Sequence, residues 1–311
     1  MQIFRSLESI PDGLRRGALT IGNFDGVHLG HARLVERLKA CAAAVGGPAV
    51  VFTFDPHPVR ILRPDRAPPP LTWTDRKAEL LAELGVDAVV AFPTDAALLR
   101  LSPREFYDRI VRAALDARAI VEGANFFFGR DRQGNVELLR RWCLEAGMLC
   151  ELVEPVAIDG QVVSSSRVRT LVAEGRVEEA NRLLTRPYCV RGRIVHGAGR
   201  GARLGYPTAN LAEVTTLLPA EGIYAGRARW DGLWRPAAVS LGPNPTFGEG
   251  GLKVEAHLLD FRGDLYDRWI ELDFLARLRG VVRFDSVEQL LAEMQRDVAT
   301  TRAKVQQLDE S

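Results

Sequence analysis

The stretch GNFDGVHLGH at residues 22–31 lies between a short apolar run at residues 18–22 and an Ala/Leu/Arg-rich run that predicts a helix over 31–45. Glycines in such a turn let the backbone approach a bound phosphate, and the free amides at a helix start favour an anion. His28 and His31 are three residues apart, so both side chains can enter one pocket. They can then donate hydrogen bonds to phosphate oxygens as charge builds up in a transition state. The stretch predicts a phosphate site between a strand and a helix.

The rest of the first half repeats this alternation of strand and helix. The patterns predict strands over residues 18–22, 48–54, 86–92, 119–122 and 148–153, and helices over 31–45, 74–84, 105–115 and 135–146. Such alternation indicates βαβ units and a parallel sheet, whose ligands bind at the carboxyl ends of the strands beside a topological switch point. We therefore expect a Rossmann-like α/β domain over residues 1–185.

The second half has a different pattern. A helical stretch over 166–184 ends at Arg186-Pro187, where we place the domain boundary. Beyond it, Gly- and Pro-rich turns separate strands predicted over residues 188–195, 222–230, 236–241, 252–259 and 268–274. This spacing favours a small antiparallel β-barrel over residues 186–311. A closing helix is expected to begin after Ser286, whose hydroxyl can cap its first turn.

Composition limits the classes of partner. The 311 residues predict two domains, and the net charge of +1, from 41 basic and 40 acidic residues, gives no electrostatic reason to expect nucleic acid or a membrane surface. No apolar run reaches about 18 residues, and residues 1–10 lack the apolar core of a signal peptide. The chain has four cysteines, Cys41, Cys143, Cys150 and Cys189, and their spacing is not typical of a metal site. We therefore expect buried, reduced thiols in a cytoplasmic protein. The expected partners are small molecules.

The HxGH pattern at residues 28–31 on a strand-to-helix turn is similar to that of the nucleotidylyltransferase superfamily. The longer string at 22–31 resembles the FAD synthetase branch, within the bacterial bifunctional riboflavin kinase/FMN adenylyltransferase family. Three later segments resemble that family in the same order: TFDPHP at 53–58, GANFFFG at 123–129 and SSSRVR at 164–169. Each segment alone is also typical of an ordinary turn, core run or helix cap.

The resemblance implies roles for residues of the first half. The implied catalytic residues are His28, His31 and Arg167, acting with Mg²⁺ on the phosphates of ATP. The implied ATP-binding residues are Gly22, Asn23, Phe24, Gly26, Gly30, Ser164 and Ser165. The implied flavin-binding residues are Asp55, Pro56, Pro58, Asn125 and Phe128. The family often has Asp where Asn125 stands; Asn keeps an acceptor oxygen and loses the charge.

A second glycine-rich constellation, HGAGRG at 196–201 followed by LGYPTAN at 204–210, is not a Walker A motif. It resembles the riboflavin kinase signature, and GIY at 222–224, NPTF at 244–247 and VEAHLLDF at 254–261 continue the match. The resemblance implies ATP-binding residues Gly197, Gly199, Gly201 and Pro207, and Mg²⁺ ligands Thr208 and Asn210. It implies that Glu255 is the general base for the riboflavin hydroxyl. Mn²⁺ would suit the same oxygen ligands.

Taken together, the motifs predict an enzyme that phosphorylates riboflavin to FMN and adenylylates FMN to FAD, with ATP as co-substrate in both steps. One alternative is another HxGH enzyme, a cytidylyltransferase or a pantetheine-phosphate adenylyltransferase, which the PTAN module disfavours. A second alternative is a flavin-binding regulatory protein with only one of the two activities. Asn125 supports the second alternative, as do Asp267, where the family commonly has Gly, and Val281, where it often has Glu. The sequence predicts no oligomeric state.

Overall fold

The computed structural model describes residues 2–197, 199–244 and 249–310. The chain forms two compact units. The first comprises Met1–Pro68 and Trp73–Ser164, and the second comprises Pro69–Thr72 and Ser165–Ser311.

The first unit alternates strands and helices as expected from its sequence. In chain order its elements are β1 (Gln2–Phe4), β2 (Ala18–Ile21), α1 (Leu29–Val45), β3 (Ala49–Asp55), α2 (Val59–Leu62), α3 (Thr74–Glu83), β4 (Ala88–Pro93), α4 (Ala96–Arg100), α5 (Pro103–Phe106), a π-helical continuation (Tyr107–Ala114), β5 (Ala119–Gly123), β6 (Phe127–Phe128), β7 (Gly134–Asn135), α6 (Val136–Glu145), β8 (Leu149–Val153), β9 (Ala157–Ile158) and β10 (Gln161–Val162).

Six of these strands form one parallel sheet in the order β1-β4-β3-β2-β5-β8. Successive strand side chains point to opposite faces, so both faces of a buried sheet are apolar. Leu19 and Phe52 pack in the core on one face, together with Ile110 and Leu139. Val51 packs in the core on the other face, with residues of α1 and α3. The parallel Rossmann-like prediction is confirmed.

The order of the sheet reverses at β2, because the chain continues from β2 to β3 on one side and later places β5 on the other. In open α/β sheets the crevice outside the carboxyl ends of two such strands is where ligands bind. The loop at residues 22–28 leaves the sheet at this point.

The second unit contains α7 (Ser165–Ala173), α8 (Val177–Leu183), β11 (Tyr188–Val195), α9 (Arg200–Arg203), β12 (Ala209–Ala212), β13 (Gly222–Trp230), β14 (Leu233–Asn244), β15 (Glu249–Leu258), β16 (Trp269–Arg279) and α10 (Val287–Asp309). Six strands close an antiparallel barrel in the order β11-β12-β15-β14-β13-β16. Ser286 caps α10, since its hydroxyl oxygen accepts a hydrogen bond from the amide of Gln289 at 3.3 Å. The predicted barrel and closing helix are confirmed.

Several elements differ from the sequence-based prediction, which also lacked the short helices α2, α4 and α9 and the two-residue strands β6, β7, β9 and β10. Strands β1 and β12 were not predicted; they have three and four residues, too few for a periodic pattern to show. The predicted helix over 166–184 is two helices, separated by a turn in which Gly175 has a φ of +76°. Glycine adopts that conformation without a steric penalty, so the chain can reverse there.

The cysteines are free thiols, with Cys41, Cys143 and Cys189 buried and Cys150 half-buried. Burial of the first three fits their expected role as small apolar side chains. Among the described residues, no helix is both long enough and apolar enough to span a bilayer.

Candidate active sites

The loop from β2 to α1 has an unusual backbone. Phe24 has a φ of +48° and Val27 a φ of +39°, in the left-handed region, where Gly26 also lies with a φ of +83°. This conformation is uncommon for a side chain with a Cβ and especially so for a β-branched one. Phe24 and Val27 are both buried in the core, which holds them there. Strain of this kind concentrates at functional sites.

His28 and His31 form a reciprocal cap at the start of α1. The Nδ1 atom of His28 accepts a hydrogen bond from the amide of His31, and the Nδ1 atom of His31 accepts one from the amide of His28, both at 3.3 Å. The two rings stack with centroids 3.7 Å apart. Because each Nδ1 must carry a lone pair to accept, each neutral ring carries its hydrogen on Nε2. The cap therefore leaves two Nε2–H donors side by side.

Burial keeps both rings neutral. It lowers the pKa of His28 to about 4, against a smaller opposing effect of the Asp25 carboxylate. It also lowers the pKa of His31 well below the ordinary value, and the charges of His28 and Lys77 act in the same direction. At neutral pH the pair is a set of uncharged hydrogen-bond donors, suited to oxygens on which negative charge develops.

Two glycines of the motif leave room for aromatic side chains. A Cβ at Gly30 would lie 3.0 Å from Cε1 and 3.1 Å from Nδ1 of His28, and a Cβ at Gly22 would lie 3.1 Å from the ring of Phe24. Asn23 contributes a buried Oδ1 that has no hydrogen-bond partner among the described residues. A buried acceptor without a donor is costly, which fits the predicted contact of Asn23 with a ligand.

Sequence reasoning assigned no role to three buried polar residues around this loop: Thr53, which begins the TFDPHP segment, Lys77 and Glu122. Glu122 is 2% exposed, accepts a hydrogen bond from the amide of Ile21 at 2.6 Å and has a pKa raised well above its usual value by burial. The hydroxyl of Thr53 donates to the carbonyl of Asn23 at 3.2 Å and accepts from the Lys77 ammonium at 3.3 Å. The positions of Thr53 and Glu122 near the carboxyl ends of two strands are the signals that could have indicated such a role.

In the DPHP segment the structure gives Asp55 an anchoring contact. Its carboxylate accepts a hydrogen bond from the Thr74 hydroxyl at 2.7 Å and pairs with Arg5 at 3.2 Å. The first contact ties the start of α3 to the end of β3. Pro56 is exposed and Pro58 half-buried beside it. Their flavin-binding role stays a prediction.

The aromatic segment at 123–129 divides between core and surface. Phe128 is 7% exposed and packs against Phe106 and Trp142, with ring centroids 5.9 and 6.1 Å away. Asn125 is exposed at the end of β5, and Phe127 is 46% exposed. The ring of Phe128 is therefore part of the core, and its contact with flavin stays a prediction.

The SSSRVR segment spans the division between the two units. Ser164 is the last residue of its stretch of the first unit, and Ser165 is the first residue of α7 in the second unit. Arg167 lies in the first turn of α7 and is half-buried. The predicted position of this segment at a helix N-terminus is confirmed.

In the barrel, the PTAN motif runs into β12, and its partner strand carries the predicted base. Asn210 is the direct partner of Glu255 on β15 and of Val195 on β11. Residues that face each other across neighbouring strands have Cβ atoms about 5 Å apart. The register thus brings together Asn210 and Glu255, which the sequence separates by 45 positions.

The glycine-rich turn packs closely on the same motif. A Cβ at Gly197 would lie 2.2 Å from Nδ2 of Asn210, and one at Gly201 would lie 2.2 Å from the carbonyl oxygen of Tyr206. Gly199 has a φ of +66°. Nδ1 of His257 lies 2.8 Å from the carbonyl oxygen of Pro207, an acceptor, so this nitrogen donates. Ala198 and residues 245–248, which include most of the NPTF match, lie outside the described residues.

Each half of the chain matches a known protein family. Residues 11–167 match the FAD synthetase family model, and residues 184–305 match the riboflavin kinase family model. The bifunctional riboflavin kinase/FMN adenylyltransferase of Pseudomonas fluorescens is 38% identical over 97% of both chains. This chain belongs to that family.

Two further bifunctional riboflavin kinase/FMN adenylyltransferases, from Escherichia coli K12 and Listeria monocytogenes, are each 33% identical over 97% and 94% of this chain. The crystal structure of a macrolide-efflux protein from Streptococcus pneumoniae superposes with a TM-score of 0.85 at 30% identity, covering 97% of this chain and 98% of that one. The predicted family is confirmed. The two family models leave residues 168–183 between them, so the boundary at 185/186 stays a prediction.

Two departures from the family pattern, Asp267 and Val281, make specific contacts in the barrel unit. Asp267 has a φ of +62°, the left-handed conformation expected of the glycine it replaces, and its carboxylate accepts a hydrogen bond from Arg193 at 2.8 Å. A Cβ at Gly242 would lie 3.1 Å from Val281, so that valine packs on the backbone of β14. The backbone at Asp267 thus has a conformation that glycine adopts readily.

Proposed function

We propose that this chain phosphorylates riboflavin to FMN and then transfers the adenylyl group of ATP to FMN, releasing FAD and pyrophosphate. We assign adenylyl transfer to residues 1–185 and the kinase reaction to residues 186–311. The observation that carries the proposal is the capped pair His28 and His31, two neutral Nε2–H donors at the switch point of a parallel sheet. The two family models that match the chain, one in each half, also support the proposal.

In the adenylyl transfer, an oxygen of the FMN phosphate attacks the α-phosphorus of ATP, and the bond to the bridging oxygen of the β-phosphate breaks. The attacking oxygen is already anionic, so no general base is required. His28 and His31 donate from Nε2 to α-phosphate oxygens as negative charge develops on them. Neutral donors suit this step because they keep their hydrogens at neutral pH.

In the kinase reaction, Glu255 accepts the proton of the riboflavin hydroxyl as its oxygen attacks the γ-phosphorus, and ADP leaves. The side-chain oxygens of Thr208 and Asn210 are the neutral ligands that suit Mg²⁺ beside nucleotide phosphates. Asn210 packs directly on the backbone of Gly197, in space that a Cβ would fill, which supports this assignment. Bound Mg²⁺ would offset charge on the transferring phosphoryl group. Glu255 faces Asn210 across the strand pair.

A flavin-binding protein with a single activity is the second candidate, favoured by the exposed Asn125 and by Val281. The left-handed backbone at Asp267 supports the enzyme instead, because it retains the turn expected at that position. Riboflavin, FMN and ATP are the proposed partners, in a cytoplasmic protein, the compartment in which ATP is available.

The test is chromatography of the flavins formed by purified protein with riboflavin, ATP and Mg²⁺. FMN followed by FAD is the expected result. FMN alone, with no FAD after FMN is added directly, would contradict the assignment of adenylyl transfer to residues 1–185. The absence of any new flavin would leave the regulatory candidate.

A further inference from the structure

Lys77 is a buried cation that belongs to no motif of the sequence. It lies in the first turns of α3 and is 8% exposed. Taking an ammonium group out of water is costly unless nearby groups compensate, and lysine is among the residues least often buried. Burial lowers the pKa of Lys77, while the carboxylates of Asp25 and Asp55 oppose that effect. Such a group is retained at a cost to stability, which indicates a role.

The hydrogen bonds of Lys77 lead to the loop that precedes His28. Its Nζ atom lies 3.3 Å from Oγ1 of Thr53, and Oγ1 of Thr53 lies 3.2 Å from the carbonyl oxygen of Asn23. An ammonium group can only donate, and a carbonyl can only accept. The direction is therefore fixed: Lys77 donates to Thr53, and the hydroxyl hydrogen of Thr53 goes to Asn23.

Lys77 also acts on His31 through its charge. The charged and titratable groups that act on His31 are His28 at the start of α1 and Lys77 in α3. Asp25 acts in turn on both His28 and Lys77, and Asp55 acts on Lys77. The positive charge of Lys77 disfavours a second positive charge on the imidazole. Protonation of His31 at Nδ1 would remove the acceptor that binds the amide of His28, so a neutral ring preserves the cap.

We propose that Lys77 is a positioning residue for adenylyl transfer, which fixes the loop at residues 22–28 through Thr53 and holds a positive charge near His31. The inference rests on the proposed function of the first unit. Lys77 itself contacts no reacting atom. It acts on the substrates through the loop and the histidine pair.

The two parts of the role separate in two variants. Lys77→Met removes both the donor and the charge, whereas Thr53→Val removes the hydrogen-bond relay and leaves the charge. Both variants are expected to lower kcat/KM for conversion of added FMN to FAD by about ten- to a hundredfold, because the loop loses its alignment. Riboflavin phosphorylation by the same preparations serves as an internal control and should not change. Lys39→Met, which removes an exposed lysine of α1, is the matched control and should behave as wild type.

The titration of His31 distinguishes a positioning role from a merely structural one. Nitrogen NMR can follow the five histidines individually, without substrate. In Lys77→Met the pKa of His31 should rise, so the low-pH limit of adenylyl transfer moves to higher pH. In Thr53→Val and Lys77→Arg, which keep the charge, the pKa of His31 should stay at its wild-type value.

An unchanged His31 titration in Lys77→Met, or unchanged adenylyl transfer in both variants of a wild type that forms FAD, would overturn the inference. A wild type that forms no FAD would contradict the proposed function instead, and the His31 titration would still test the charge of Lys77. Should Lys77→Met not fold, Thr53→Val and Lys77→Arg decide: full adenylyl transfer in the first or a shifted His31 in the second would overturn it.

Discussion

The Nδ1 atoms of His28 and His31 each accept the other residue's amide hydrogen, and this exchange sets both tautomers. A capping box is usually a device for helix stability, worth about 1 kcal/mol. Here the side chains in the box are also the proposed catalytic groups. The same contacts that stabilise the first turn of α1 therefore orient the donors. A substitution that displaces the His28 ring but favours helix formation should lower activity without a matching loss of helix stability.

Gly30→Ala tests that separation. Alanine favours a helix over glycine by about 1 kcal/mol, which offsets the about 1 kcal/mol lost with the His28 cap, so the thermal stability of the first unit should change little. Its Cβ would lie 3.0 Å from the His28 ring, and we expect FAD formation from added FMN to fall at least tenfold as the ring moves. Gly13→Ala is the control, because a Cβ there meets no atom within 4 Å. Wild-type FAD formation by Gly30→Ala would contradict the geometry.

His28 should also make the first unit less stable in acid. Its pKa is 6.5 in the unfolded chain and about 4 in the fold, so the unfolded state takes up the proton first as the pH falls. Between pH 8 and pH 5 this group should remove about 2 kcal/mol from the free energy of unfolding. Amide hydrogen exchange in β2 and α1 measures the loss, with the barrel strands as internal reference. His28→Gln should remove this part of the pH dependence; an unchanged dependence would show that His28 is not its source.

Among individual residues, the sequence indicated those that form an unusual motif and gave no role to polar residues that form none. His28, His31 and the glycines around them stand out because a histidine pair at a helix start has few packing explanations. Lys77, Thr53 and Glu122 are ordinary in sequence, and only the fold shows that they are buried beside the same loop. Burial of a polar group depends on contacts between distant elements, which no local pattern encodes.

Among the secondary-structure elements, strand register positions the proposed kinase residues of the barrel, as the helix cap positions the histidine pair of the first unit. Asn210 and Glu255 are direct partners because β12 pairs antiparallel with β15. A shift by one residue would turn one of the two side chains to the opposite face of the sheet. Strand β12 was not predicted, since its four residues are too few for a periodic pattern to show, and the PTAN motif indicates only nucleotide and Mg²⁺ ligands. The sequence suggests Asn210 and Glu255 as residues of the kinase site but could not predict that they are strand partners.

Gly197→Ala should disable the kinase half selectively. The added Cβ would lie 2.2 Å from Nδ2 of Asn210, too close for any real contact, so the amide must leave its place. We expect riboflavin phosphorylation to fall at least a hundredfold and conversion of added FMN to FAD to stay within twofold of wild type. Gly280→Ala, where a Cβ meets nothing within 4 Å, is the matched control. An equal loss of both activities in a folded protein would contradict this assignment.

In the whole molecule, two family models match successive parts of the chain, and the chain folds into two compact units. The sequence predicted this organisation because the periodicity of strands and helices changes between the halves. It could not predict how α7 and α8 are grouped, because grouping depends on contacts with distant strands; in the structure both belong to the second unit. Asn181 of α8 explains that grouping: its side chain bonds to the backbone of Phe274 and Tyr188 in the barrel, at 2.8 and 2.7 Å.

Two separate sites that share a diffusible product should complement each other in trans. The double variant His28→Ala/His31→Ala is expected to form FMN and stop, and Glu255→Gln is expected to leave riboflavin unchanged yet convert added FMN to FAD. Mixed in equal amounts with riboflavin, ATP and Mg²⁺, the two proteins should form FAD after a lag in which free FMN accumulates. The lag should shorten as the concentration of both proteins rises, because FMN must pass through solution. Loss of FMN formation in the double variant, or of FAD formation from added FMN in Glu255→Gln, would show that the two sites depend on each other.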